Sequence, residues 1–410
     1  MGHRRSDSSL CRFSAILTAS VTLILFRNET DFDGFGPSSW ASAFELPTSS
    51  IPLHASQEAI RRSIREHCPA TPGVYGMLGP DRELIYVGQS KSLRNRLLSY
   101  FTGEPASAKV GRIVEAAGSL VWESARHEFT ALLRELELIR RWQPRFNVRG
   151  HPARTRRAYL CVGRGPAAQA YLSIRPSVHT GWTFGPVPAG RQYRRSVRRL
   201  NDCFGLRDCR RRLRTRFSDQ RELFSQGREA RCLRGAVGTC LAPCATACSQ
   251  AEYGDRVEAV VDFLAGRDPA VLDRVQKEMR LAADLRRFEL AARLRDAHED
   301  LTRLSTFLQR LREAHGYSFV YPVGGHGGRE NWYLIQAGRI MAVERGPRRW
   351  KASPACVKAL DAVFPRDRRS GPPTGLEDLD GVLLVARWFR THPGELETVL
   401  SPEAARRRCG

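Results

Sequence analysis

The stretch that decides the fold opens with Gly73-Val74-Tyr75, continues through Tyr86-Val87-Gly88 and Lys91-Ser92-Leu93-Arg94-Asn95-Arg96, and ends with a helical pattern over 128–142 and Pro144-Arg145-Phe146-Asn147. Each triplet sets aromatic and β-branched residues among turn-forming glycines and Pro80, which reads as a short strand. Two paired strands bring Tyr75 and Tyr86 near each other. Ser92 stands where a helix cap belongs, ahead of Leu93, Leu97 and Tyr100, with Arg96 beside that face. The second helix presents one apolar face, Phe129, Leu132, Leu133, Leu136 and Ile139. Glu135 falls on the shoulder of that face, where a carboxylate is half buried and still reaches a cleft.

These residue types suit hydrolysis of a phosphodiester. That reaction needs a carboxylate to hold a divalent ion, a base for the attacking water and a cation for the phosphoryl charge. Glu135, a tyrosine hydroxyl and Arg96 fill the three roles. Taken singly they say little: a glutamate on a helix shoulder is usually a solvated charge, and a tyrosine at a strand start is usually core. The set carries the reading.

Gly-Val-Tyr, Tyr-Val-Gly, the Lys-Ser-Leu-Arg-Asn-Arg run, Ala131-Leu132-Leu133-Arg134-Glu135 and Pro-Arg-Phe-Asn together resemble the GIY-YIG nuclease domain, in the form found in the bacterial excinuclease subunit UvrC. The resemblance implies that Tyr75 and Tyr86 are the motif tyrosines, with Tyr86 the candidate general base. It makes Arg96 the phosphate-binding arginine, Glu135 the ligand of Mg2+ or Mn2+, and Asn147 a further active-site residue. Lys91 and Arg94 would contact DNA. One position departs from the pattern: Gln89 follows the second motif glycine, where the family commonly has lysine. A neutral amide cannot replace that charge, so either Lys91 compensates or the site is slower.

The chain has 410 residues, enough for two to four domains, and a net charge of +23, which points to a polyanionic partner. Between Arg140 and Arg231 there are 23 arginines, no lysine and five acids. Two strand-like runs, Tyr159 to Val162 and Ala170 to Arg175, and a helix-like run, Arg191 to Asn201, lie there. Arg191, Arg194, Arg195 and Arg198 on that helix suit bidentate phosphate contacts. A proteome biased towards arginine explains the missing lysines but not the scarcity of acids. Residues 1–50 are read as an extension or a start set too early. Their apolar run, Phe13 to Phe26, is too short to cross a bilayer comfortably, and Ala41-Ser42-Ala43, which looks like a signal-peptide cleavage site, lies far downstream of it. Residues 51 to 70 read as a lead-in helix.

Six of the eleven cysteines fall between Cys203 and Cys248. Such clustering suggests a metal or cluster site more than disulfides, and four thiolates fit zinc or [4Fe–4S] equally. The phrases around Cys209, Cys232, Cys240 and Cys244 resemble the cysteine-rich domain of UvrC, which aligns these four with the cysteines that can hold an iron–sulfur cluster in that family, with zinc as the alternative. Residues 249 to 313 read as helical, with Ser249 and Glu252 as a capping box. The patterns over Val271 to Leu285 and Phe288 to Leu311 resemble the UVR hairpin, which implies a contact with UvrB through residues 271–311. After a glycine-rich linker (Gly324, Gly325, Gly327, Gly328) a hairpin turns at Ala337-Gly338, and a short helix runs from Leu383 to Phe389. No aspartate-rich pattern of a second, RNase H-like nuclease is found, so the tail resembles truncated UvrC-like proteins such as Cho.

The expected architecture is a multidomain α+β chain. After the extension come a small GIY-YIG α/β/α nuclease domain (68–150) and a basic cysteine-rich DNA-binding domain (151–248). A helical region with a UVR-like hairpin (249–313) and a small α+β appendage (316–410) follow. The expected activity is 3′-side incision of lesion-containing double-stranded DNA in nucleotide excision repair, in the cytoplasm and with no membrane association. The alternatives are a stand-alone structure-specific nuclease independent of UvrB, and a DNA-binding protein with a decayed site.

Overall fold

The first sheet forms where the sequence alternates bulky and small residues. Strand β1 (Ser49–Pro52) and helix α1 (Gln57–His67) lead into β2 (Gly73–Leu78) and β3 (Leu84–Ser90). Helices α2 (Leu93–Leu98) and α3 (Ala108–Glu115), strand β4 (Ser119–Ser124) and helix α4 (Glu128–Trp142) follow. The sheet order is β1-β4-β2-β3 with every pair antiparallel. The computed structural model describes residues 32–38, 48–103, 107–148, 150–151, 156–209, 215–220, 233–325, 328–347, 353–365 and 374–409. All six residues of β2 are buried, because each face of the sheet is covered. On one face Tyr75 and Met77 pack with Ile60, Ile64, Leu93 and Leu97. On the other, Val74 and Val87 pack with Leu138 and Ile139 of α4.

Part of the stretch set apart as an extension belongs to this core. Phe32 and Phe35 are buried against Val74, Val121 and Leu138, and residues 49–52 are the edge strand β1. The apolar run over 13–26 and Ala41-Ser42-Ala43 lie outside the described residues. Segment 32–38 is fastened by charge as well as by rings. Arg134, buried in the middle of α4, donates to Glu137 at 2.7 Å, to Glu123 at 3.1 Å and to the carbonyls of Pro37 and Gly36. Arg141 donates to the carbonyls of Phe35 and Pro37, and Ser38 to Glu137.

The second unit contains β5 (Arg157–Gly163), β6 (Ala170–Ser173), β7 (Thr180–Pro188) and α5 (Arg191–Phe204). After α6 (Leu233–Ala236) come α7 (Gln250–Ala265), α8 (Ala270–Asp284) and α9 (Phe288–His315). Its sheet runs β6-β5-β7. Ser249 caps α7 by accepting from the Glu252 amide at 3.0 Å, as its sequence signature predicts. The helices do not stand apart from the basic region: Leu301, Leu304 and Leu308 of α9 share one core with Leu160, Val197 and Leu200. At the α8–α9 tip Leu281, Leu285 and Phe288 are exposed.

The tail is an antiparallel sheet, β8 (Phe319–Gly324), β9 (Glu330–Gln336) and β10 (Arg339–Arg345), with helices α10 (Pro354–Val363), α11 (Leu379–Thr391) and α12 (Pro402–Cys409). Its β9–β10 hairpin turns at Ala337 and Gly338, both with positive φ. Of the glycines expected to be a linker, Gly324 ends β8, Gly325 and Gly328 lie in the β8–β9 connection within one sheet, and Gly327 lies outside the described residues. One face of the sheet packs on α10 and α12. Its other face, with α11, closes over Phe129 and Leu133 of α4. Phe129 meets the rings of Tyr321, Tyr333 and Trp388 at 5.1 to 5.5 Å. The apolar face expected on α4 is therefore divided: Phe129 and Leu133 face the tail, while Ala131, Leu138 and Ile139 face the sheet.

Replacing Arg134 by Ala should destabilise the fold by about 3–5 kcal/mol, because Glu123 and Glu137 would be left buried without their counter-charge. Urea unfolding followed by tryptophan fluorescence reads this directly, and a midpoint unchanged from the parent would contradict the role given to Arg134.

Candidate active site

The β2–β3 register sets Tyr75 opposite Gly88 and Met77 opposite Tyr86. A side chain at position 88 would collide with the Tyr75 hydroxyl, so the second motif glycine is what lets the Tyr75 ring cross its partner strand. Beyond that crossing the polar groups gather. The Tyr75 hydroxyl shares a 2.8 Å hydrogen bond with the Tyr100 hydroxyl. Arg96 donates from Nε to Tyr75 at 3.1 Å and from Nη2 to Tyr100 at 3.2 Å. The Tyr86 ring lies 6.1 Å from that of Tyr75. Arg96 is positioned by α2, whose cap residue Ser92 makes no side-chain cap bond; there Ser90 donates to the Ser92 carbonyl instead.

Tyr100 is a member of this cluster that the sequence reading placed only on the apolar face of α2. Its position four residues after Arg96 was the available signal, since such pairs meet on one side of a helical turn. Burial pushes the hydroxyls of Tyr75 and Tyr86 above the usual tyrosine range. Both are hydroxyls, not phenolates, at neutral pH. Burial works against the Arg96 charge, but the tyrosines around it outweigh burial and raise its pKa, so it is a permanent cation.

Glu135 is half-buried on α4 and accepts a hydrogen bond from the Gln89 backbone amide. Burial pushes its carboxyl up to about 7, opposed by that amide and by the guanidinium of Arg387 on α11. Its charge also acts on Tyr86, which places carboxylate and tyrosine on one cleft. Lys109 of α3 lies 5.8 Å from the Tyr86 ring centre. Lys109 and Arg387 are two cations that sequence spacing did not single out.

Asn147 sits one step away from this chemistry. Strand β3 is the sheet edge, and the Asn147 amide completes it, accepting from Val87 N at 2.9 Å and donating to Val87 O at 2.8 Å. The Phe146 amide donates to the Ile85 carbonyl. The Pro-Arg-Phe-Asn run thus holds the backbone on both sides of Tyr86.

The other expected site residues divide. Lys91 is exposed near the cleft, whereas Arg94 donates to the Cys68 carbonyl at 2.7 Å and ties α2 to the end of α1. On α5, Arg191, Arg194, Arg195 and Arg198 are all exposed. Arg195 is nevertheless engaged, with a two-pronged contact of 2.6 and 2.9 Å to the buried Asp300 of α9. Arg194 donates to Ala189 O, and Arg198 lies 3.8 Å from Asp208. Cys232 lies outside the described residues. Among the described residues no three Cys, His, Asp or Glu side chains gather into a set that could hold a metal ion, so Cys209, Cys240 and Cys244 give the expected iron–sulfur or zinc site no support. Cys240 instead accepts from the Ala242 amide.

Residues 71–148 match the model of the UvrC-like GIY-YIG domain, and residues 158–263 match that of the UvrC/Cho excinuclease middle domain. Both matched stretches are thus similar to UvrC domains. The UvrABC system protein C of Haemophilus ducreyi is 34% identical over 233 residues, 56% of this chain and 36% of that protein. That of Syntrophomonas wolfei is 30% identical over 280 residues, 67% of this chain and 44% of that protein. The chain thus matches less than half the length of these curated relatives. Among solved structures, the N-terminal GIY-YIG endonuclease domain of UvrC from Thermotoga maritima, bound to magnesium, is 38% identical. It covers 22% of this chain and 98% of that one, with a TM-score of 0.20. Residues 71–148 are accordingly an endonuclease domain of the GIY-YIG type. No helix among the described residues is long and apolar enough to cross a membrane.

Changing Asn147 to Ala removes both bonds to Val87 and leaves a buried strand edge unpaired. Stability should fall by about 1–3 kcal/mol, and the Tyr86 environment should loosen with it. Hydrogen exchange at the Val87 amide, slow in the parent chain, should become fast.

Proposed function

We propose that this chain is a metal-dependent endonuclease that nicks lesion-containing double-stranded DNA on the 3′ side in nucleotide excision repair. The observation that carries the proposal is Glu135, a half-buried carboxylate facing the same cleft as the Tyr75–Tyr100–Arg96 hydroxyl–guanidinium cluster and Tyr86. The donor set fits a divalent ion. Glu135 is held away from water with one amide donor, and among the described residues it forms no ion pair. Mg2+ commonly takes one or two carboxylates and completes its shell with water and substrate phosphate. Such an ion, when bound, would polarise the phosphate and acidify a water.

The chain's own groups do the rest. Arg96, anchored through Tyr75 and Tyr100, presents a fixed positive charge to the phosphoryl oxygens. The Tyr86 hydroxyl orients the attacking water. Its raised pKa keeps it a hydroxyl at neutral pH, so it takes the water's proton only as its own leaves through its hydrogen bond with Tyr100. Asn147 keeps Tyr86 in place from the strand edge.

The proposed partners follow from surface chemistry. Arg191 and the neighbouring arginines of the second unit offer charge to DNA, with Arg195 excepted because Asp300 holds it. The α8–α9 tip, with Leu281, Leu285 and Phe288 exposed among charged residues, has the form of a docking knob, which supports UvrB as the partner of residues 271–311.

Glu135→Ala should abolish nicking, a loss of several orders of magnitude, while DNA binding persists. Tyr86→Phe should lower kcat with little change in unfolding. Parent protein that never nicks a damaged duplex, with any divalent ion and with or without a UvrA–UvrB pair, would sink the proposal. Nicking that ignores UvrB would favour a stand-alone nuclease.

A pH dependence follows from the Glu135 carboxyl. Its pKa is raised to about 7, so below that pH a proton competes with the cation, and above it the carboxylate is ready. The ion concentration for half-maximal nicking should therefore fall roughly tenfold between pH 6 and pH 8. A metal requirement independent of pH over that range would exclude Glu135 as the ligand.

A further inference from the structure

The tail has no counterpart in the two matched units, yet it is packed on the helix that carries Glu135. Two strips of residues meet at the rim of that contact. On α4, Leu132 is packed into the cluster shared with the tail, and Glu135 is the next position along the same side of the helix. On α11, Leu384 is packed into the same cluster, and Arg387 is the next position along its side. Val385, Trp388 and Phe389 are buried around it, so the backbone bearing Arg387 is fixed. The Arg387 side chain itself is exposed and, among the described residues, makes no hydrogen bond or ion pair. Among the described residues, Arg387 is a cation whose charge is felt at Glu135.

We propose that the C-terminal unit forms the second wall of the DNA cleft, with Arg387 contacting a backbone phosphate beside Glu135 and supplying the positive charge that Gln89 lacks. This rests on the endonuclease reading above for its substrate. An arginine suits the role because its planar fork binds phosphate through two N–H groups. Gln89 contributes only its backbone amide to Glu135, and its side-chain oxygen is buried without a partner. A duplex entering the cleft would then be met by Arg96 on the tyrosine side and by Arg387 on the tail side. The chain would bind DNA through a nuclease unit completed by its own C-terminus.

The test uses the full-length chain, a short duplex and no divalent ion, so that binding is read without turnover. Arg387→Ala should flatten the plot of log affinity against log salt by about one unit. Affinity would then fall roughly threefold less between 50 and 200 mM salt. Arg387→Lys should keep most of the slope. Arg408→Ala removes one exposed charge from α12, whose cluster contains no residue of α4, and should leave the slope unchanged. With the ion present, Arg387→Ala should raise KM for nicking, and adding Gln89→Lys should restore it. An unchanged slope for Arg387→Ala, or an equal loss for Arg408→Ala, would overturn the proposal. Thermal unfolding of each variant separates loss of contact from loss of fold. If the parent binds but never nicks, the endonuclease reading falls while the slope still decides the phosphate contact.

Discussion

Everything in the first unit depends on α4 being held from two sides at once. On its inner side the buried Arg134 balances Glu123 and Glu137 and reaches across to the carbonyls of Gly36 and Pro37. On its outer side Phe129 and Leu133 are enclosed by aromatic rings of the tail. A helix pinned along both faces cannot rotate, and Glu135 lies between the two grips. A metal-holding carboxylate must keep its position to within a fraction of an ångström, and a lone carboxylate on an exposed helix would not. The same confinement raises its pKa: the burial that fixes Glu135 also makes its charge costly until a cation arrives.

The tyrosines answer a different constraint. The Tyr75 ring lies across strand β3, and that passage is possible only because Gly88 has no side chain. Once there, the hydroxyls have few partners except one another and Arg96. The cluster is therefore self-satisfied in the absence of substrate, with Arg96 oriented by two hydrogen bonds before any phosphate arrives. For the proposed reaction that is preorganisation in the plain sense: the cation would need no rearrangement to meet developing charge.

The sequence made the nuclease core legible because its signals are local. The strands at Tyr75 and Tyr86, helix 128–142, the Ser249 cap and the turn at Ala337-Gly338 all follow from residues a few positions apart. The tyrosines, Arg96 and Glu135 of the candidate site were legible as a motif. What could not be read were contacts between distant segments. Phe32 and Phe35 reach α4 from about a hundred residues away, and nothing in their surroundings marks them as core. Arg195 looked like a DNA contact because Asp300, which claims it, lies 105 positions downstream. Strands β7 and β8 were missed because prolines and glycines obscure their alternation. Tyr100 was visible but was assigned to packing, a fair reading for a tyrosine beside leucines.

The division of α4's apolar face has a consequence for how the units depend on one another. A helix packed on a single sheet shows one stripe, and the sequence suggested one. Here Phe129 and Leu133 turn away from the sheet and need the tail to cover them. The α9 helix runs the same way, with Leu301, Leu304 and Leu308 in the second unit's core and Leu311 and Ala314 against α11. Arg157 of β5 also pairs with Asp380 of α11, and the Tyr159 hydroxyl donates to the Thr374 carbonyl. The tail therefore bonds to both other units through apolar area and ion pairs together. Removing it would expose a row of large aromatic and aliphatic side chains on the very helix that bears Glu135. The C-terminal unit thus carries a structural duty towards the candidate site whatever its contacts with DNA, because the orientation of the helix that bears Glu135 depends on it.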